Sequence, residues 1–246
     1  MIPKKIHYCW FGGKELPPLA QKCIASWKKF LPDYEILRWD ESNYDVNKIA
    51  YTKEAYAAKK YAFVSDYARF DILYQHGGLY FDTDVEIIKD LTPIIEAGSF
   101  MGCESFHNEN AVNSGLGLAA APGLGLYKKI LENYSNRHFL KNNGKLDLTT
   151  VVEITTKILE EYNFNTTLSI PQQINGVMIY PPEYFCPKDF ISKKIKITPN
   201  TYTIHHYTTS WFTIRGHIGI FFIRKAPLCY RILKWLANAL SREKLF

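Results

Sequence analysis

The 246-residue chain predicts an α/β fold, a Rossmann-like mixed sheet flanked by helices, with a basic amphipathic helix at its C-terminus. Three observations predict it. The first segments alternate strand, helix and strand, the order of a parallel crossover unit. A long helical stretch then closes on Gly77-Gly78 and runs straight into a short apolar strand that ends in Asp82-Thr83-Asp84. Finally, 47% hydrophobic against 22% charged residues is enough to bury a core, which excludes the disordered and low-complexity classes.

Lys5 to Phe11 reads as a buried strand with Ile6, Tyr8 and Trp10 on one face, stopped by Gly12-Gly13, a candidate ligand loop. After Pro17-Pro18, which suit a first helical turn, Leu19, Cys23, Ile24, Trp27 and Leu31 recur at helical spacing. Tyr34 to Trp39 is the second strand. From Thr52 to His76 there is neither Pro nor Gly, and Phe63, Tyr67, Phe70 and Tyr74 mark one face of a single long helix. Gly77-Gly78 is a C-terminal stop signal, and the strand Leu79–Phe81 follows. Further strands are expected at 100–103 and 116–120 and one or two over 195–207, with helices at 124–134 and 150–162. No repeat or linker marks a second independent domain; residues 1–214 form the expected catalytic domain and 215–246 an extension.

Charge separates those two parts. From Arg215 to Phe246 there are seven basic residues and one acid, a balance of +6, which is also the net charge of the chain. The first 214 residues are therefore neutral, which argues against a general nucleic-acid binder. From Pro227, Leu228, Ile232, Trp235, Leu236, Ala239 and Leu240 line one side of a helix, with Arg231, Lys234 and Arg242 on the other. Such a helix either docks on an anionic membrane surface or packs on the domain with its basic face in water. No apolar run approaches the roughly 20 residues that span a bilayer. The five cysteines (Cys9, Cys23, Cys103, Cys186, Cys229) are scattered without a C-x-x-C pair, which argues against a disulfide framework or a structural zinc site. The expected location is cytoplasmic, peripheral on the inner face of the membrane if the tail docks there.

Asp82 and Asp84 carry the chemistry. On a strand, residues i and i+2 share one face, and two carboxylates so placed suit Mg²⁺ or Mn²⁺ bridging a diphosphate. An acidic triplet alone is a weak signal, since acids are common in solvated turns at strand ends. Its context is the block S-D-Y-A-R-F-D-I-L-Y-Q-H-G-G-L-Y-F-D-T-D from Ser65 to Asp84, in which Asp66 and Arg69 share a helix face. On a surface such an i, i+3 pair contributes only a few tenths of a kcal/mol, about 0.2–0.5.

This block resembles the signature of the DXD-containing sugar-nucleotide glycosyltransferases of family 32, of the capsular polysaccharide synthesis type, and is similar to the corresponding stretch of the large clostridial toxin glucosyltransferase domains. The opening I-P-K-K-I-H-Y-C-W-F-G-G resembles that family's first strand, and H-H-Y-T-T-S-W-F from His205 its C-terminal His-and-Trp segment. The resemblance implies a GT-A fold, a nucleotide-diphosphate-sugar donor, a divalent cation (Mn²⁺ or Mg²⁺) and transfer with retention. It places Trp10 on the donor base, Asp66 and Arg69 on the donor sugar, Tyr80 along the donor site, and Asp82 on ribose and metal. Asp84 then takes metal and diphosphate. His206, Ser210 and Trp211 close over the diphosphate, with His206 or Ser210 the further metal ligand. Asn113, with Ser114 and Gly115, resembles a position near the reacting sugar.

His205 and His206 are adjacent, so on a strand at most one faces the metal. No second carboxylate stands out as a nucleophile of the kind a retaining glycosidase uses. The expected chemistry is therefore front-face substitution, in which the leaving diphosphate helps to deprotonate the acceptor hydroxyl. The expected donor is a UDP-hexose or UDP-N-acetylhexosamine, and the acceptor a saccharide, lipid-linked through a polyprenol, in bacterial surface polysaccharide synthesis (capsule, O-antigen). The rival expectation is a non-catalytic sugar-nucleotide-binding or membrane-associated scaffold.

Overall fold

A computed structural model describes residues 1–106, 109–190 and 192–208. The expected tail helix, Cys229, Ser210 and Trp211 lie outside the described residues. The chain divides into two compact units, Met1–Lys188 with Ile195–Tyr207, and Asp189–Lys194 with Thr208–Phe246. In the second unit Asp189–Lys194 forms a tight turn, the Lys193 N–H donating to the Asp189 carbonyl at 3.0 Å. Every element named below belongs to the first unit.

In chain order these elements are β1 (Lys5–Cys9), α1 (Pro18–Phe30), β2 (Glu35–Trp39), α2 (Ala50–Ala57), α3 (Tyr61–His76), β3 (Gly78–Tyr80), β4 (Val85–Ile87) and α4 (Thr92–Glu96). There follow β5 (Phe100–Phe106), β6 (Glu109–Val112), β7 (Leu118–Ala120), α5 (Gly125–Ser135), α6 (Val151–Glu160), β8 (Gln172–Ile174), β9 (Val177–Tyr180), α7 (Pro182–Phe185) and β10 (Thr203–His205).

The main sheet is mixed, ordered β2-β1-β3-β7-β5-β9-β8, with β6 paired to β5. β1 runs parallel to both β2 and β3, as the crossover order requires, and β7 is antiparallel to β3 and β5. Alternation along the strands divides the interior in two. Ile6, Tyr8, Leu79, Phe100 and Ala119 enter one core with Trp27 of α1 and Phe185 of α7. Cys9, Tyr80, Met101 and Leu118 enter the other with Phe70 of α3, Tyr127 of α5 and Ile158 of α6. The sheet is thus covered by helices on both faces, and its strand ends are the place left for a ligand.

Two expectations need correction. The stretch 52–76 is two helices, not one. α2 ends where Lys59 takes a positive φ of 56°, and the Lys59 and Lys60 N–H groups fold back onto the carbonyls of Tyr56 and Ala55 at 2.9 Å each. That is a glycine-type helix ending made by a lysine. Of 195–207 only Thr203–His205 is strand, pairing antiparallel with β4. The hairpin β8–β9 and strand β6 were not expected. By contrast α3 ends on Gly77 at φ 63°, its N–H donating to the Leu73 carbonyl at 2.9 Å. The helix expected over 150–162 begins on a complete capping box of Thr150 and Glu153.

Candidate active site

Parallel pairing of β1 with β3 brings the first strand's end and the acidic pair to one sheet edge. The register sets His7 against Tyr80, so Cys9 at the end of β1 and Asp82 just past the end of β3 fall at one level of the sheet. Trp10 is half-buried there, its N–H donating to the Trp39 carbonyl at 2.8 Å and its indole N–H to the Lys14 carbonyl at 2.6 Å. In the Gly12-Gly13 loop, the Gly12 N–H donates to the Glu41 carboxylate at 2.5 Å.

The acidic pair is not on a strand. Between β3 and β4 the Val85 N–H donates to the Asp82 carbonyl at 3.0 Å, closing a turn over 82–85, so strand alternation does not decide where the two carboxylates point. They take different partners. Asp82 Oδ1 accepts from the Tyr80 hydroxyl at 3.0 Å and lies 3.4 Å from Arg69 Nη2. Asp84 is buried, with Oδ1 3.3 Å from His205 Nε2.

Arg69 is the hub on the α3 side. Its side chain is 4% exposed. Nε donates to the Ser65 carbonyl at 3.0 Å, Nη1 to Ser114 Oγ at 3.1 Å, and Nη2 pairs with Asp66 at 2.9 Å. The guanidinium also stands over the Tyr80 ring, 5.1 Å from its centroid. The Asp66–Arg69 pair is therefore no surface bridge. Burial pushes the Asp66 carboxyl up to about 7, against the pull of Arg69 and with the help of Asp82. Two acids share one guanidinium, and one of them holds its proton near neutrality.

Asn113, Ser114 and Gly115 form the turn before β7 and close the site from the other side. Asn113 Oδ1 accepts from the Gly115 N–H at 2.8 Å, and the Gly115 carbonyl accepts from the Asp82 N–H at 3.0 Å. A Cβ on Gly115 would run into Asp82 Oδ2, so only glycine lets the turn approach the carboxylate this closely. Asn113 thus reaches Asp82 through backbone, not by its own side chain.

The two histidine rings take different carboxylates. The ring beside Asp84 belongs to His205. Burial works against its imidazolium, yet Asp84 outweighs burial and holds the His205 proton well above the ordinary range. His206 turns instead to Glu86, Nε2 to Oε2 2.8 Å, where Lys22 also pairs at 2.9 Å. Register alone does not explain this: β10 pairs with β4 so that His205 lies opposite Val85, and the His206 N–H donates to the Asp84 carbonyl at 2.9 Å, while the Asp84 side chain, on the 82–85 turn, reaches the His205 ring. Glu86, missed from the sequence, continues the spacing Asp82, Asp84, Glu86 and was legible in it.

Other neighbours left no local signal. Glu104, Cys186 and His205, from three distant segments, bring one possible metal-binding atom each within 4.8 Å of one another. Tyr207 joins them, its hydroxyl 2.9 Å from Cys186 Sγ and donating to Glu104 at 3.1 Å.

Residues 17–101 match the family model described as a glycosyltransferase sugar-binding region containing a DXD motif. The matched stretch runs from the first turn of α1 into β5 and includes Asp66, Arg69, Asp82 and Asp84. An uncharacterized glycosyltransferase of Acanthamoeba polyphaga mimivirus is 26% identical over 199 residues, covering 77% of each chain. Among solved structures, the PaToxG glycosyltransferase is similar at 19% identity and a TM-score of 0.49, over 65% of this chain and 69% of its own. A glycosyltransferase involved in glycosylating the major capsid of PBCV-1 is similar at 12% identity and a TM-score of 0.46, over 84% and 95%.

Proposed function

We propose that the protein is a glycosyltransferase of GT-A type that moves a sugar from a nucleotide-diphosphate sugar to a saccharide acceptor with retention, using a divalent cation. The observation that carries the reading is the junction of Asp82, Arg69 and Asp66 at the end of β3, inside the stretch that matches the DXD sugar-binding region, with Ser114 joining it from beyond that stretch.

The donor set fits Mn²⁺ or Mg²⁺. Asp82 and Asp84 offer carboxylate oxygens on one short turn, and His205, paired through Nε2 with Asp84, would join them only after giving up its proton. His206, expected in this role, is engaged by Glu86. When bound, the cation would screen the charge that develops on the leaving diphosphate. This chain's own groups do the rest. Arg69, held by Ser65 and Asp66, is preorganised at the donor sugar, and Trp10, next after Cys9 at the end of β1, is there to stack on the base. A donor hydroxyl bound between Asp66 and Arg69 meets one acceptor and one donor. The diphosphate oxygen set free on the acceptor's side takes its hydroxyl proton, as front-face substitution requires.

A UDP-hexose or UDP-N-acetylhexosamine is the donor this reading favours. The acceptor it favours is a polyprenol-linked saccharide of a bacterial surface polysaccharide, met at the membrane by the basic segment 215–246. Among the described residues no helix is long and apolar enough to cross a membrane. A thermal-shift screen of nucleotide sugars with and without Mn²⁺ tests the donor class: a true donor raises the melting temperature with the logarithm of its concentration, and more so with Mn²⁺. No shift with any nucleotide sugar contradicts the reading, and binding without turnover makes the protein a non-catalytic binder.

A further inference from the structure

Behind the acidic turn lies a second polar layer, centred on Glu104 of β5. Its Oε2 accepts two hydrogen bonds, from Asn113 Nδ2 at 2.9 Å and from the Tyr207 hydroxyl at 3.1 Å. Each partner leads to one member of the acidic pair. Through Asn113 the path continues to the Gly115 N–H and from the Gly115 carbonyl to the Asp82 N–H, at 2.8 and 3.0 Å. Through Tyr207 it continues to His205, whose ring centroid lies 4.2 Å from that of Tyr207, and from His205 to Asp84 at 3.3 Å.

Tyr207 is held in a conformation it would not choose. Its φ is 56°, in the left-handed region that a large side chain rarely enters. Such a residue persists only where its surroundings over-determine it. Here they do: the hydroxyl meets both Glu104 and Cys186, and the ring lies against His205. Glu104 is half-buried, and both hydrogen bonds it accepts converge on the same oxygen, Oε2.

We infer that Glu104 is a positioning residue that clamps both halves of the acidic turn from behind, through Asn113 to Asp82 and through Tyr207 and His205 to Asp84. It does not touch donor or acceptor. Its effect on turnover rests on the glycosyltransferase reading; its effect on the turn does not.

The experiment combines amide hydrogen exchange with donor hydrolysis kinetics on the full chain and on Glu104→Ala, Glu104→Gln and Tyr207→Phe. In Glu104→Ala the Asp82 and Gly115 amides, and in both Glu104→Ala and Tyr207→Phe the His206 amide, which donates to the Asp84 carbonyl, should exchange at least about tenfold faster, while those of β1 are unchanged. Over the same variants kcat for Mn²⁺-dependent hydrolysis of UDP-glucose should fall about 10- to 100-fold, as for other groups that support a metal ligand from behind, with donor KM nearly constant. Glu104→Gln keeps an acceptor oxygen and should recover part of both effects. The double variant should be no worse than the more severe single one, because both cut the same clamp. Unchanged exchange at Asp82 and Gly115 overturns the inference whatever the activity does, as does a kcat that stays at the wild-type value in all three variants of an active enzyme. If the wild-type chain hydrolyses no donor while the amides respond as stated, the clamp stands and the glycosyltransferase reading falls.

Discussion

Asp84 is the residue on which most of the proposed chemistry converges, because its carboxylate is buried and lies 3.3 Å from the His205 imidazole. Asp84→Asn keeps shape and volume but removes the charge, so metal-dependent donor turnover should fall at least about 10²-fold, and the melting temperature should drop because the buried His205 loses its charge partner. Gly115 makes a steric prediction. In Gly115→Ala the added methyl meets Asp82 Oδ2, and the carboxylate must turn away; kcat should fall with a loss of about 1–3 kcal/mol in urea unfolding. A residue far from the acids makes a pH prediction. His7 is fully buried, with its Nδ1 accepting from the Trp39 indole N–H and its Nε2 paired to the Gly77 carbonyl, both at 3.0 Å. Burial lowers its pKa to about 4 against the pull of the Gly77 carbonyl, which raises it, so the folded chain prefers the neutral ring. The stability this gives is complete above the unfolded value of 6.5 and is lost as pH falls through about 4, in total about 3 kcal/mol. Urea melts at pH 7 and pH 4 should show that loss, and His7→Gln should lack this part of it.

Among the elements, α3 and the two turns it faces decide the site. Arg69 carries two carboxylates and a serine from the middle of α3, so Arg69→Met leaves Asp66 and Asp82 facing each other without a cation. Chemical denaturation should show a loss of about 3–5 kcal/mol, much of it restored by adding Asp66→Asn. What was legible here was what is contiguous. Asp66, Arg69, Tyr80, Asp82 and Asp84 fall within one twenty-residue block whose helix–Gly-Gly–strand pattern fixes their approximate order in space. What was not legible depends on pairing across long separations. Which histidine meets the Asp84 carboxylate depends on how the 82–85 turn aims that side chain across β10, and Glu104 meets Tyr207 across 103 positions. The break between α2 and α3 has neither Gly nor Pro; a lysine in a left-handed conformation makes it, against its own preference. The β8–β9 hairpin did carry a signal. Asn175-Gly176, both at positive φ between Ile174 and Val177, is the dipeptide such a tight turn prefers.

At the scale of the whole molecule, the mixed sheet brings Trp10, Asp82 and the 113–116 turn to one edge, and the expectation of a helix-flanked α/β architecture is met there. The basic segment beyond residue 214 lies outside the described residues, and its proposed role is separable. Deleting 224–246 should reduce sedimentation with anionic liposomes while donor hydrolysis persists; equal sedimentation removes the membrane role and leaves the catalytic reading intact. The central claim is that one turn, 82–85, presents acids to a cation that grips a donor diphosphate. Release of UDP from UDP-hexoses, followed with and without Mn²⁺ in the wild-type chain and in Asp84→Asn, tests it most directly. The account predicts release that needs Mn²⁺ and nearly vanishes in the variant; release that ignores both the ion and the substitution would contradict it.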